Sequence, residues 1–96
     1  MPSIKLLKRA ELEIIDACKW YEKQQKGLSI NFRNAVKNSL NSIASNPLIF
    51  QKRFDTELRF TLVKKFPYVL VYWYDEILDT VFVTSVFHTK RNPENI

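Results

Sequence analysis

The sequence predicts one α+β domain, a helical hairpin packed on one face of a small, mainly antiparallel sheet, in the order β-α-α-β-β-β. Three observations carry this. Apolar residues recur at helical spacing through the first half, on both sides of the only glycine, Gly27. In the second half they fall into three β-branched and aromatic runs separated by short turns. The chain has 96 residues, enough for two layers around a thin core, so a single domain spans 1–96.

The elements follow in order. Residues 3–7 read as a short first strand. From about residue 9 to residue 25 Ala10, Ile14, Ala17, Cys18 and Tyr21 form a helical stripe, widened by Leu12, Ile15 and Trp20. Gly27 can take the left-handed backbone that ends a helix. Ser29 is a plausible N-cap for a second helix, whose narrow stripe is Phe32, Val36, Leu40 and Ile43. Pro47 ends it, because proline disfavours helix at the residue before it and donates no backbone hydrogen bond. Residues 48–55 read as a loop. Strands are then expected at 57–64, 68–74 and 80–88, with turns at "KFP" and "DEIL".

Composition limits the chemistry. Lys and Arg number 15 against 10 acidic residues, a net charge of +5, which favours nucleic acid or an acidic protein as partner. A lone cysteine, Cys18, allows no internal disulfide and fits a reducing compartment. Its place on the apolar stripe reads as a small buried hydrophobe. The start has scattered charges and no long apolar run, so a cytoplasmic, soluble protein is expected, without signal peptide or membrane span. One histidine and one cysteine make no metal site, and one glycine makes no phosphate-cradling loop. No metal or cofactor is expected.

The run "YVLVYWY" is apolar on both alternating faces. Tyr68, Leu70, Tyr72 and Tyr74 share one face, and Val69, Val71 and Trp73 the other. With a two-residue turn before it, Arg59 joins the tyrosine face. The expectation is that Trp73 and its companions meet the helices and that the tyrosine face, with Arg59, stays open. Such a face suits stacked bases and phosphates, a protein interface, or rings that only cover one another. Arg59, flanked by Leu58 and Phe60, needs a partner or a ligand. His88 can exchange protons or be structural. Lys52, Arg53, Lys64, Lys65, Lys90 and Arg91 lie near strand ends, most of them reading as solvated charge. His88 falls opposite Arg59 if "DEIL" is a tight two-residue loop. A longer loop or a bulge brings the two onto one face.

The chain resembles the RelE/ParE superfamily of bacterial type II toxins, particularly its plasmid-stabilisation branch. The resemblance rests on "WYEKQQKGLSINF", "SNPLIF", "LRFTLVKKFPYVLVYWYDE" and "VTSVFHTKRNPENI" and covers nearly the whole chain. It implies a small sheet flanked by helices and a cognate antitoxin protein that wraps and neutralises the toxin. It leaves two targets, DNA gyrase for ParE-like members and ribosome-bound mRNA for RelE-like endonucleases. In the nuclease case Arg59 matches a phosphate-stabilising arginine, while His88 and Arg91 match a closing motif that supplies a proton and a charge. The tail "TKRNPENI" has no tyrosine after the histidine, which tips the expectation toward gyrase inhibition without catalysis. Tyr68, Leu70, Tyr72, Tyr74, Lys64 and Lys65 are the expected surface for antitoxin or target. A non-toxic remnant or structural adaptor is the remaining alternative.

Overall fold

The computed structural model describes residues 1–50, 52 and 56–90. They form β1 (Ser3–Leu6), α1 (Lys8–Gln24), α2 (Leu28–Ser45), β2 (Arg59–Val63), β3 (Tyr68–Asp75) and β4 (Thr80–His88). The sheet order is β1-β4-β3-β2. β2, β3 and β4 form an antiparallel meander, and β1 returns to lie parallel to β4. The α+β order read from the sequence is the one observed. The 51 and 53–55 part of the predicted loop lies outside the described residues.

Both helices pack on one face of the sheet. The core joins Ala10, Ala17, Cys18 and Tyr21 of α1 and Phe32, Val36 and Ile43 of α2 to Val63, Leu70, Tyr72, Val81, Val83 and Val86 of the sheet. At roughly 25 cal/mol per Å² of apolar surface removed from water, this layer is the main source of stability. Leu12, Ile15 and Trp20 do not widen the stripe as expected. They are exposed, because they lie past the edge of an arc that only one sheet face can cover.

The hairpin is closed differently from the expectation. Gly27 adopts φ 88° and is itself the N-cap of α2, a left-handed position that costs glycine little. Ser29 lies inside the first turn. The capping acceptor is the Glu22 carboxylate of α1, which receives the Gly27 N–H at 3.0 Å, the Ser29 N–H at 3.3 Å and the Ser29 hydroxyl at 2.7 Å. An acidic group placed there meets the unpaired amides and the positive end of the helix dipole.

The sheet faces are the reverse of the sequence reading. Arg59 pairs with Tyr72, Thr61 with Leu70 and Val63 with Tyr68, so Arg59 does share the tyrosine side. That side faces the helices, with Leu70 and Tyr72 fully buried in the core. Trp73, Val69 and Val71 lie on the far side, beside Phe60, Leu62 and Phe82. Volume explains the choice. The hairpin has small residues at Ala10, Ala17 and Cys18, which leave room for large rings from the sheet.

β4 carries a bulge. Tyr72 pairs with Val83, but Val71 pairs with Ser85, leaving Thr84 as an extra residue. Alternation therefore changes phase, and Val81, Val83, Val86 and His88 all turn toward the helices. Beyond the bulge β1 has ended, and the edge of β4 is served by α1. Glu13 accepts the Val86 N–H at 3.0 Å and the Ser85 hydroxyl at 2.8 Å. An unpaired edge amide is satisfied by a side chain.

The Glu22 carboxyl is held below the usual carboxylate range, first by the Gly27 N–H and then by Ser29. A group whose folded pKa is lowered adds stability above its unfolded pKa, and loses it as pH falls through the folded value. Glu22→Gln is expected to lower the thermal midpoint at pH 7 and to shrink the difference from wild type near pH 3. Equal midpoints at pH 7 would show that the cap contributes nothing.

Candidate functional site

The expected site residues separate toward two ends of the sheet. At one end Arg59 opens β2. Its guanidinium donates to the Phe50 carbonyl at 2.6 Å and, more weakly, to the Leu48 carbonyl at 3.4 Å. The neighbouring Tyr72 hydroxyl donates to the Pro47 carbonyl at 2.7 Å. The segment leaving α2 after Pro47 thus has three carbonyls held by two sheet side chains. Burial pushes the Tyr72 phenol up to about 12, against an opposing pull from the Arg59 charge. Arg59 is used as a structural clamp.

At the other end His88 closes β4 opposite Tyr68. Its ring meets Tyr68 edge to face at 5.4 Å, and its Nδ1 accepts the Lys90 N–H at 3.2 Å. That bond leaves Nε2 as the other ring nitrogen. The Thr89 N–H donates to the Pro67 carbonyl at 2.8 Å, tying the end of β4 to the turn at residues 64–67. Trp20, Tyr21, Pro67, Tyr68 and His88 line a shallow aromatic pocket here. Below it Tyr21, Phe32, Phe66 and Tyr68 pack with ring centroids 5.1–6.2 Å apart. Such contacts add to the area they bury.

The bulge brings Arg59 and His88 onto one side of the sheet, but not together. Arg59 stands opposite Tyr72 and His88 opposite Tyr68, on strands flanking β3. Four residues along the strand and two strand spacings across give roughly 16 Å between their backbones. With the Arg59 guanidinium turned to the Phe50 and Leu48 carbonyls, the two side chains do not converge. The side they share carries the helices. Arg91 lies outside the described residues.

The other expected positions are equally distinct. Lys64 and Lys65 are exposed in the four-residue turn, where Lys65 takes φ 71°. Tyr74 donates to Asp79 Oδ1 at 2.5 Å across the β3–β4 turn. That hydrogen bond, more than burial, raises its pKa. Leu70 and Tyr72 present no surface to a partner. What sequence reasoning missed is the far side of the sheet. There Trp73 stacks on Phe82 at 4.8 Å, and Leu62 is 66% exposed on the edge strand. Phe50, Phe60, Thr61, Leu62 and Val69 surround a groove along that edge. The adjacent polar residues in "VFVTSVFH" mark the β4 bulge, but no local pattern marks which face of β3 the helices cover.

Two measurements check the clamp. Arg59→Ala is expected to destabilise the fold by about 1–2 kcal/mol, the worth of a charged donor's lost hydrogen bonds. A denaturant midpoint unchanged from wild type would remove it from the structural account. For Tyr72, the raised folded pKa means stability is complete below the unfolded value near 10 and is lost as pH rises toward about 12. Tyr72→Phe should therefore lose less stability than wild type between pH 9 and pH 11. Parallel alkaline losses would contradict this.

The sequence matches the family model for the "ParE toxin of type II toxin-antitoxin system, parDE" over residues 4–93. No curated protein matches it. Among solved structures, it is similar to a chain of the intact E. coli RelBE toxin-antitoxin complex, with TM-score 0.64 and 20% identity over 95% of this chain and 100% of that one. The isolated E. coli RelE toxin aligns with TM-score 0.64 and 20% identity, covering 99% and 92%. A chain of the chromosomal ParDE system of P. aeruginosa aligns with TM-score 0.66 and 10% identity, covering 92% and 96%. These likenesses establish the shared fold, and the family model spans nearly all of the sequence. The chain belongs to the ParE toxin family of type II toxin-antitoxin systems.

Proposed function

We propose that this toxin arrests growth by binding DNA gyrase, without a catalytic step of its own, and that a cognate antitoxin protein neutralises it. One observation carries the choice of mechanism. Arg59, the residue best placed in the sequence to stabilise a phosphate, spends its guanidinium on the Phe50 and Leu48 carbonyls. It also sits roughly 16 Å from His88 by strand geometry. Cleaving RNA needs a base, an acid and a charge converging on one phosphate. Among the described residues no such convergence exists. An inhibitor that works by contact needs only an interface.

The antitoxin reading is supported by the family and by the far side of the sheet. Leu62 and the groove along β2 leave apolar surface that no described element covers. An extended segment laid on an edge strand would gain backbone hydrogen bonds and bury those side chains.

The test is induction of the toxin alone in bacteria, followed by induction with its neighbouring small gene. Growth should stop in the first case and resume in the second. During the arrest gyrase-linked DNA breaks should accumulate while mRNA stays intact. Cleaved mRNA without DNA breaks would replace this mechanism with the endonuclease. Unimpaired growth at high expression would point to a non-toxic remnant.

A further inference from the structure

α2 has an unusual outer surface. Its 18 residues include no Asp or Glu, two cations, Arg33 and Lys37, and four asparagines. Asn31, Asn34, Asn38 and Asn41 are all exposed and fall at spacings of three, four and three, so they form one stripe. Asparagine is a poor helix former, worth several tenths of a kcal/mol less per position than Ala, Glu or Lys on an exposed face. A helix under selection for stability alone would not place four there. The stripe borders a groove lined by Asn31, Asn34, Asn38, Lys64, Lys65 and Phe66. Among the described residues no acidic side chain lines it. The two lysines come from the β2–β3 turn, so two separate elements bring amides and positive charge to one concave surface.

We propose that this groove binds the sugar-phosphate backbone of duplex DNA. The chemistry favours that occupant. Side-chain amides and lysines are typical backbone contacts, positioning a protein on DNA without reading sequence. The stripe spans about 15 Å at 1.5 Å per residue. That length matches about four phosphates of one strand at 3.4 Å of axis each. Single-stranded nucleic acid calls for exposed rings on which bases stack, and among the described residues the one ring lining the groove, Phe66, is packed into the aromatic cluster against Tyr21 and Phe32. An acidic peptide would be better served by guanidinium forks than by amides. The surface is separate from the Arg59 clamp and from the β2 edge, and does not depend on which target the toxin has.

The probe is a labelled 20-base-pair DNA duplex of arbitrary sequence, titrated with the full chain across a salt series. Binding should weaken steeply with salt, since each neutralised phosphate contributes about 0.9 to the log–log slope. Lys64→Gln with Lys65→Asn, the asparagine chosen because it tolerates the left-handed backbone at that position, should reduce the slope by about two. Lys5→Ala with Lys19→Ala, away from the groove, should reduce it less. Asn34→Ala with Asn38→Ala should weaken binding while raising the thermal midpoint, because alanine is the better helix former. A merely structural stripe would not move these two readouts in opposite directions. The proposal is overturned if no binding is detected at 50 mM salt, or if the asparagine variant binds like wild type. It is overturned equally if the remote lysine pair costs as much as the groove pair. Tighter binding of single-stranded RNA or polyglutamate than of the duplex would assign the groove to another class of partner and overturn it too.

Discussion

One extra residue in β4 governs the arrangement of this protein. Without the bulge, with Thr84 kept in register, strict alternation from Val81 and Val83 would send Ser85 and Phe87 to the helices and Val86 and His88 to the other side. With it, three valines stand under the hairpin and Ser85 meets Glu13 of α1. The bulge also falls just where β1 stops pairing, at Leu6 and Val83. The last part of β4 would otherwise be an unprotected edge. Glu13 takes over that role from β1, so the strand-to-helix transition at Leu7 and the phase change in β4 are solved together.

The same phase change makes the two ends of the sheet different places. At the His88 end rings from α1, α2 and the β2–β3 turn fill the space between the layers. At the Arg59 end the filling is polar and directional, because the chain leaving α2 has carbonyls that no strand or helix satisfies. Arg59 and Tyr72 supply three donor contacts to Pro47, Leu48 and Phe50. A buried carbonyl without a donor costs more than a typical hydrogen bond returns. This accounts for an arginine inside an apolar strand with no ligand invoked.

Two surfaces are left over by the core. The apolar edge at Leu62 and the amide stripe of α2 lie on different elements and differ in character. Each could be recognised without disturbing the buried layer. The two grooves do not overlap, since none of the residues lining one lines the other.

The sequence by itself determined the element order. Helical and strand periods are local, and Gly27 and Pro47 punctuate them through backbone geometry alone. Local pattern also put Arg59 on the tyrosine face on the condition of a two-residue turn, and the observed four-residue turn keeps that face because its length is even. Tertiary structure decided which face of β3 is the core. Both of its faces are apolar, so hydrophobicity offers no preference. The choice depends on the volume left by Ala10, Ala17 and Cys18 on the opposing helices. It also decided the caps. Glu13 and Glu22 both lie on α1, and only the folded chain shows the amides of Gly27, Ser29 and Val86 that they satisfy. Arg59 was legible as a residue in need of a partner, but that partner lies nine residues earlier in a segment without regular structure. No periodicity runs through such a segment, so the contact exists only once the layers have closed.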